Sequence, residues 1–415
     1  MKRRVVITGL GAVTAPGEGA ELLWKAALDQ RSGIDFLSYD DDWTSVGALV
    51  RDFEPEKFIE QKKALKVMAR DIQLAVAGAK LAIDDSGLNL SKTNRERFGT
   101  LVGSGVLNHE LDELAYSLQN AVGDDGKIDL RKFGEEGLPA LFPLWLLKYL
   151  PNMSACHISI FFNLEGPNNT ITTGASASLQ AVGEAYHIIE RGSADLMLAG
   201  GAESKVNPVG MTHYEILGVL SKATGNDPKT LYRPFDSDAA GVVVGEGSGF
   251  VLLEELEHAK KRKAKIYAEI GGFGSSYSLG HKIAMRAALD ASRIPPSGLG
   301  YVQAAGVGIR TEDALEAEAI YEVFNGCARD LLVSASKPVT GFTGFSAGVL
   351  DLVVSTLSLQ NGLIPPTMNF KNADPLLGFQ IVKDEPVQKK IKSAMTNCFG
   401  FNGQCVSMVT KKLES

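Results

Sequence analysis

Along this chain, short unbroken runs of apolar residues alternate with longer stretches in which apolar positions recur every three or four residues. An apolar run of strand length, with no polar alternation, suits a strand covered on both faces. Arg4-Val5-Val6-Ile7-Thr8-Gly9 is the first such run, and 99–105, 194–199 and 247–253 follow it. Glycines close the second and third, where the backbone must turn tightly. A second series comprises 266–270, 301–307, 332–334 and 394–399. Between these runs, 71–82, 178–191, 280–292, 313–324 and 347–360 carry the helical period, and 254–263 has the charge pattern of a solvated helix. Strand and helix alternating in two successive blocks predict an α/β fold of two similar halves, 1–255 and 256–415. The repeat is legible in the order of elements, not in residue identity.

Composition narrows the class. With 415 residues, 45% of them hydrophobic and 22% charged, the chain can bury two cores of ordinary size, and no low-complexity linker separates them. A formal charge of −7 argues against a nucleic-acid partner, which would require a basic face. No apolar stretch approaches the roughly 18 residues of a membrane helix. Met1-Lys2-Arg3-Arg4 and the apolar run after it read as a strand entering a turn rather than a secretory leader, because Gly9 and Gly11 interrupt the run. A cytoplasmic protein is expected. Cys156, Cys327, Cys398 and Cys405 are too widely spaced for a disulfide framework or a zinc site, and His109, His213, His258 and His281 show no metal spacing. Thr8-Gly9-Leu10-Gly11 lacks the third glycine of a dinucleotide fingerprint, Thr14 standing there. No cofactor is expected.

Five motifs, in order along the chain, point to a family. They are Val6-Ile7-Thr8-Gly9-Leu10-Gly11 with Val13-Thr14; Asn152-Met153 with His157-Ile158-Ser159-Ile160 and Gly166-Pro167; Arg233-Pro234-Phe235-Asp236 with Gly241 and Gly245-Glu246-Gly247; Lys337 with Thr340-Gly341; and Asn397 with Phe399-Gly400-Phe401. Together they resemble the β-ketoacyl synthases of fatty-acid and polyketide assembly. That resemblance implies a thiolase-like fold, two similar α/β halves in an α-β-α-β-α layering.

Decarboxylative condensation needs a thiolate to carry the acyl chain and two imidazoles to assist decarboxylation and stabilise the developing oxyanion. At the three positions where the resemblance places these groups, this chain has Ala175, Ala305 and Phe342. Each is anchored by its own flanking residues: Gly166-Pro167, Tyr301-Val302 and Lys337. Alanine has neither lone pair nor labile proton to offer, and phenylalanine fills an imidazole's space with an apolar ring. Ser176 and Ser178 flank the dead position without a histidine to activate them, and helix capping accounts for them better. Cys405 lies in a strand-like apolar run, as a small buried hydrophobe does. His157 and His187 are expected to be structural. Other features match the family: Lys337 and Glu316 as a buried ion pair, and Phe401 as the aromatic that gates the acyl pocket. Asn402 and Cys405 depart from its glycine-rich loop, and Asp238-Ala239-Ala240 lacks its Arg-Asp pair.

A ketosynthase-like chain without the cysteine resembles the chain-length factor of a type II polyketide synthase. The resemblance implies a heterodimer with an active ketosynthase subunit, an acyl carrier protein as partner, and a growing polyketide chain in a tunnel between the subunits. The interface is expected to involve 152–160 and the strand before Ala175. The tunnel wall is expected in 107–118 and 138–150, with Leu111, Ala115, Phe142, Trp145, Leu146 and Phe401 as its candidates. The cations of 62–70 fit either a carrier-protein contact or a solvated helix face. The competing expectation is a catalytically silent homodimer that binds acyl groups or carrier protein as a scaffold.

Overall fold

All eight apolar runs become strands, and two further strands of four residues or more join them in the main sheet. In a computed structural model describing residues 3–40, 43–106, 109–221, 227–278, 280–373 and 377–413, the principal strands are β1 (Val5–Thr14), β2 (Phe98–Gly103), β3 (Asn168–Ile171), β4 (Leu196–Glu203), β5 (Gly247–Glu255), β6 (Ala268–Tyr277), β7 (Tyr301–Gln303), β8 (Leu332–Ser334), β9 (Ser393–Phe399) and β10 (Gln404–Lys411). The helices that matter for the site are α1 (Arg70–Asp85), α2 (Leu111–Gln119), α3 (Met153–Phe162), α4 (Ala177–Glu190), α5 (Pro208–Ile216), α6 (His281–Ser292), α7 (Arg310–Val323) and α8 (Ala347–Asn361). The run expected over 301–307 pairs only to Gln303, because Gly306 and Gly308 take φ of +44° and +72° and turn the chain away.

The strands form one sheet with the spatial order β3-β2-β4-β5-β1 followed by β6-β10-β9-β7-β8. Taken outward from the junction, the two series have the same connectivity, and in each the three outer strands are parallel and the two inner ones antiparallel. The junction is short: β1 meets β6 through Val6↔Glu269 and Ile7↔Ala268. Helices α4 and α8 pack on each other and touch strands of both series, α1 and α3 cover the outer face of the first, and α6 covers that of the second with α7 behind it. This is the layered thiolase-like α/β arrangement. Residues 347–359 of α8 are buried on every side, as its place in the middle layer requires. Among the described residues, no helix is long and apolar enough to cross a membrane.

Candidate functional site

The two middle-layer helices start in the same way. A 3-10 turn at Gly174–Ser176 leads into α4, and another at Gly344–Ser346 leads into α8. Both carry Thr-Gly-x-Ser-Ala: Thr173-Gly174-Ala175-Ser176-Ala177 and Thr343-Gly344-Phe345-Ser346-Ala347. The glycines have φ of +63° and +45°, a region that a Cβ makes costly. Each serine hydroxyl donates to the carbonyl of its threonine, at 2.8 Å from Ser176 and 3.0 Å from Ser346. Ser176 and Ser178 therefore do not cap α4 as expected. The backbone at Ser176 is already helical, which turns its hydroxyl back, while Ser178 Oγ accepts from Val349 N–H of α8 at 3.1 Å.

A cavity of about 640 Å³ opens over the head of α4, with Ala175, Phe342 and Phe401 in its lining. Phe342 is 1% exposed, its ring 5.1 Å from that of Phe401 and edge-on to Tyr214 at 6.0 Å. The ring thus fills its space with apolar surface that needs no hydrogen-bond partner. Ala305 is not in this cavity; it lines a separate void of about 10 Å³, to which Phe401 and Glu316 also contribute. Of the three positions singled out in the sequence, Ala175 and Phe342 line one cavity and Ala305 lines the other.

The two buried cysteines, Cys398 and Cys405, are poor candidates for a nucleophile. Cys398 lies beneath Ala175 and donates to Ala175 O at 3.2 Å, but burial pushes its thiol up to about 12. Burial likewise pushes the Cys405 thiol, in β10, up to about 11. Neither is a thiolate at neutral pH. His157 is buried in α3, where burial lowers its pKa and favours the neutral ring. Half-exposed His187 lies against Glu190 at 3.3 Å. Among the described residues, no group of three or more His, Cys, Asp or Glu is placed to hold a metal ion.

The expected Lys337–Glu316 ion pair is not made. Lys337 Nζ pairs with Asp351 of α8 at 2.6 Å and donates to Ala305 O. Glu316 instead accepts from the amides of Ala305 and Gly306, both at 2.9 Å, and from Asn397 Nδ2 at 3.1 Å. The Ala305 peptide satisfies both charges, its carbonyl toward the cation and its amide toward the anion. Burial works against the charge on Lys337, but the surrounding acidic groups, Asp351 foremost, together outweigh it and hold the ammonium's pKa above its ordinary value.

The expected wall residues are arranged differently. Phe401 lines the cavity, while Leu111, Ala115, Phe142 and Leu146 are exposed and do not. Trp145 is half-buried, 4.7 Å from the His109 ring and 5.3 Å from that of Tyr149. Leu107 and Asn108, where one wall segment was expected to begin, lie outside the described residues, as do Met1 and Lys2. The 62–70 cations do not share one helix face. Lys62–Val67 is a 3-10 helix and α1 starts at Arg70, whose guanidinium turns inward to Glu246 at 2.7 Å.

Among the lining residues that sequence reasoning missed are Glu203, Lys205, Tyr214 and Phe345. The repeated Thr-Gly-x-Ser-Ala string was the signal that could have found Phe345, since it makes that residue the counterpart of Ala175.

Residues 2–259 match the model of the beta-ketoacyl synthase N-terminal domain and residues 274–371 that of its C-terminal domain. The chain belongs to the beta-ketoacyl synthase family. It is 35% identical to a 3-oxoacyl-[acyl-carrier-protein] synthase 2 of Coxiella burnetii, over 99% of each chain. It is also 35% identical to the protein of that name from Vibrio cholerae, over 99% of this chain and 100% of the relative. Among solved structures, the ishigamide ketosynthase/chain length factor is similar over 100% of both chains, with a TM-score of 0.87 and 26% identity. A structure described as a type II PKS acyl-carrier protein in complex with its ketosynthase bound to the hexaketide, AntDE:AntF, gives 0.83 and 25%, again over 100% of both chains.

Proposed function

We propose that this family member is the non-condensing half of a ketosynthase pair. It binds an intact ketosynthase as a heterodimer and shapes the tunnel in which a carrier-protein-bound polyketide grows. The observation that carries this reading is the head of α4, where the turn and helix are kept while Ala175 and the Phe342–Phe401 stack occupy the reacting space. A helix N-terminus can lower a thiol's pKa, but here there is no thiol for it to act on. The likeness to 3-oxoacyl-[acyl-carrier-protein] synthases supports the frame and a carrier-protein partner. The likeness to a ketosynthase/chain length factor supports pairing.

The surface also supports a partner. Leu111, Phe142, Leu146, Ile160, Ile216 and Leu217 are each at least half exposed, and exposed apolar surface of this kind marks association. Strand β3 ends the sheet and pairs only with β2 among the described strands, leaving an edge to be covered. In this reading 152–160 and β3 face the partner, segments 107–118 and 138–150 supply wall, and the chain's halves divide at residue 255.

The test uses this chain alone, the ketosynthase alone and the two together, each with acyl- and malonyl-carrier protein. Product is expected only when both subunits are present, and Phe142→Ala or Trp145→Ala in the pair is expected to change its length. A 3-oxoacyl product from this chain alone would overturn the reading. Unchanged length in both variants would remove the wall assignment.

A further inference from the structure

The cavity over Ala175 is mostly apolar, yet one wall is built around a charged pair. Glu203 ends β4, and its side chain is fully buried. Its oxygens are occupied: Oε1 accepts from Tyr214 O–H at 2.7 Å, and Oε2 from Phe345 N–H at 3.0 Å and Lys205 Nζ at 3.3 Å. Gly344 makes room for this carboxylate, since a Cβ there would stand 2.0 Å from Oε1. The segment that presents Lys205 is also held. Ser204 N–H donates to Asp71 at 2.6 Å, and Ser204 Oγ donates at 2.6 Å to Glu246.

Lys205 has more donors than this arrangement consumes. Its side chain is 12% exposed, and one long bond to Glu203 engages one of the three N–H groups of an ammonium. Its Nζ lies 4.3 Å from the centroid of Phe345 and 5.6 Å from that of Tyr214, rings that bind a cation by their faces without accepting all its protons. The cavity thus offers a guest apolar walls, a carboxylate whose oxygens are already bonded, and an ammonium with donors to spare. Its volume of about 640 Å³ suits an acyl chain of moderate length.

We infer that Lys205 donates a hydrogen bond to a ketone or enolate oxygen of a β-keto acyl chain entering this cavity, so that the cavity prefers oxygenated chains to saturated ones. The inference rests on the reading of this chain as a tunnel-shaping subunit. The logic is that of a site built to bond an oxygen: a guest lacking it leaves a desolvated ammonium short of partners, whereas a guest carrying it gains a charge-assisted bond. Glu203 is the positioning residue, fixing the ammonium against the wall while Tyr214 and Phe345 hold the carboxylate.

The test is calorimetric titration of the full-length protein with two probes, 3-oxooctanoyl-N-acetylcysteamine and octanoyl-N-acetylcysteamine, which differ by one ketone. Wild type is expected to bind the 3-oxo probe roughly tenfold more tightly, one charge-assisted bond's worth. Lys205→Met keeps the stem and removes the donors, so it should bind the two probes with equal affinity. Lys205→Arg should keep the preference. Equal binding of both probes by wild type, no binding of either, or an equal loss for both in Lys205→Met would overturn the inference. If Lys205→Met does not fold, the wild-type comparison and Lys205→Arg still decide. Native mass spectrometry of the same preparation with the ketosynthase separates the two ideas. A heterodimer without probe preference sinks the Lys205 role alone, and a probe preference without a heterodimer sinks the pairing alone.

Discussion

The heads of α4 and α8 share a turn and differ in what that turn presents. At α4, Gly174 leaves room beside the end of the Asn402 side chain, and Ala175 faces a cavity. At α8, Gly344 leaves room for the buried Glu203 carboxylate, which accepts from Phe345 N–H. Both heads line the cavity; one is chemically blank there, and the other is bound into a network of buried charges. The turn persists at both because positive φ, a serine that bonds back and a close helix pair are conditions of the fold. The side chain between glycine and serine is bound by none of these, so the residue there can change without changing the turn.

The comparison can be broken most severely at the charged side. Lys337→Met leaves Asp351 of α8 buried without its counter-ion and should cost about 3–5 kcal/mol in urea unfolding. A loss below 1 kcal/mol would mean the pair does not hold that helix. Next come the two glycines. Gly344→Ala forces a Cβ into a carboxylate with no slack and should cost about 3 kcal/mol, whereas Gly174→Ala meets only the end of the exposed Asn402 side chain and should cost about 1 kcal/mol. Equal costs would erase the distinction between the heads.

Asp71, which pins Ser204 beside Glu203, gives a pH test. Burial raises its carboxyl to about 7 from an ordinary 3.8. A raised folded pKa means that its contribution to stability is complete below pH 3.8 and is lost as pH rises toward 7. Asp71→Asn can still accept from Ser204 N–H, so relative to wild type it should gain about 2 kcal/mol between pH 5 and pH 8, followed by thermal unfolding. A constant difference across that range would place the Asp71 pKa in the ordinary range. The smallest effect is expected from Ala175→Cys: stability within about 0.5 kcal/mol of wild type, and still no 3-oxoacyl product, because Ala305 and Phe342 supply no imidazole. Condensation by this variant would show that the blank head lacks only its sulfur.

Much of this was legible from residue order. Every apolar run became a strand because a sheet covered on both faces leaves its pattern in uninterrupted residues, and the motifs around Gly166-Pro167 and Lys337 pointed to Ala175 and Phe342, which line one cavity. What stayed hidden depends on direction rather than spacing. Lys337 could have met Glu316 or Asp351, and only the fold sets Asp351 one turn inside α8 within reach of the ammonium. Arg70 looked like a surface cation until the break between the 3-10 helix and α1 turned it toward Glu246. Lys205 gave no signal because its significance lies in the rings of Tyr214 and Phe345, the latter far along the chain, which only the fold brings against its ammonium.

The central claim is that this chain keeps a ketosynthase frame in order to complete another ketosynthase. Native mass spectrometry of the chain co-expressed with the intact ketosynthase of its own source tests it most directly. The account predicts a one-to-one complex with little homodimer. A homodimer of this chain that leaves the ketosynthase unbound would contradict it, and would make the silent acyl-binding scaffold the better description.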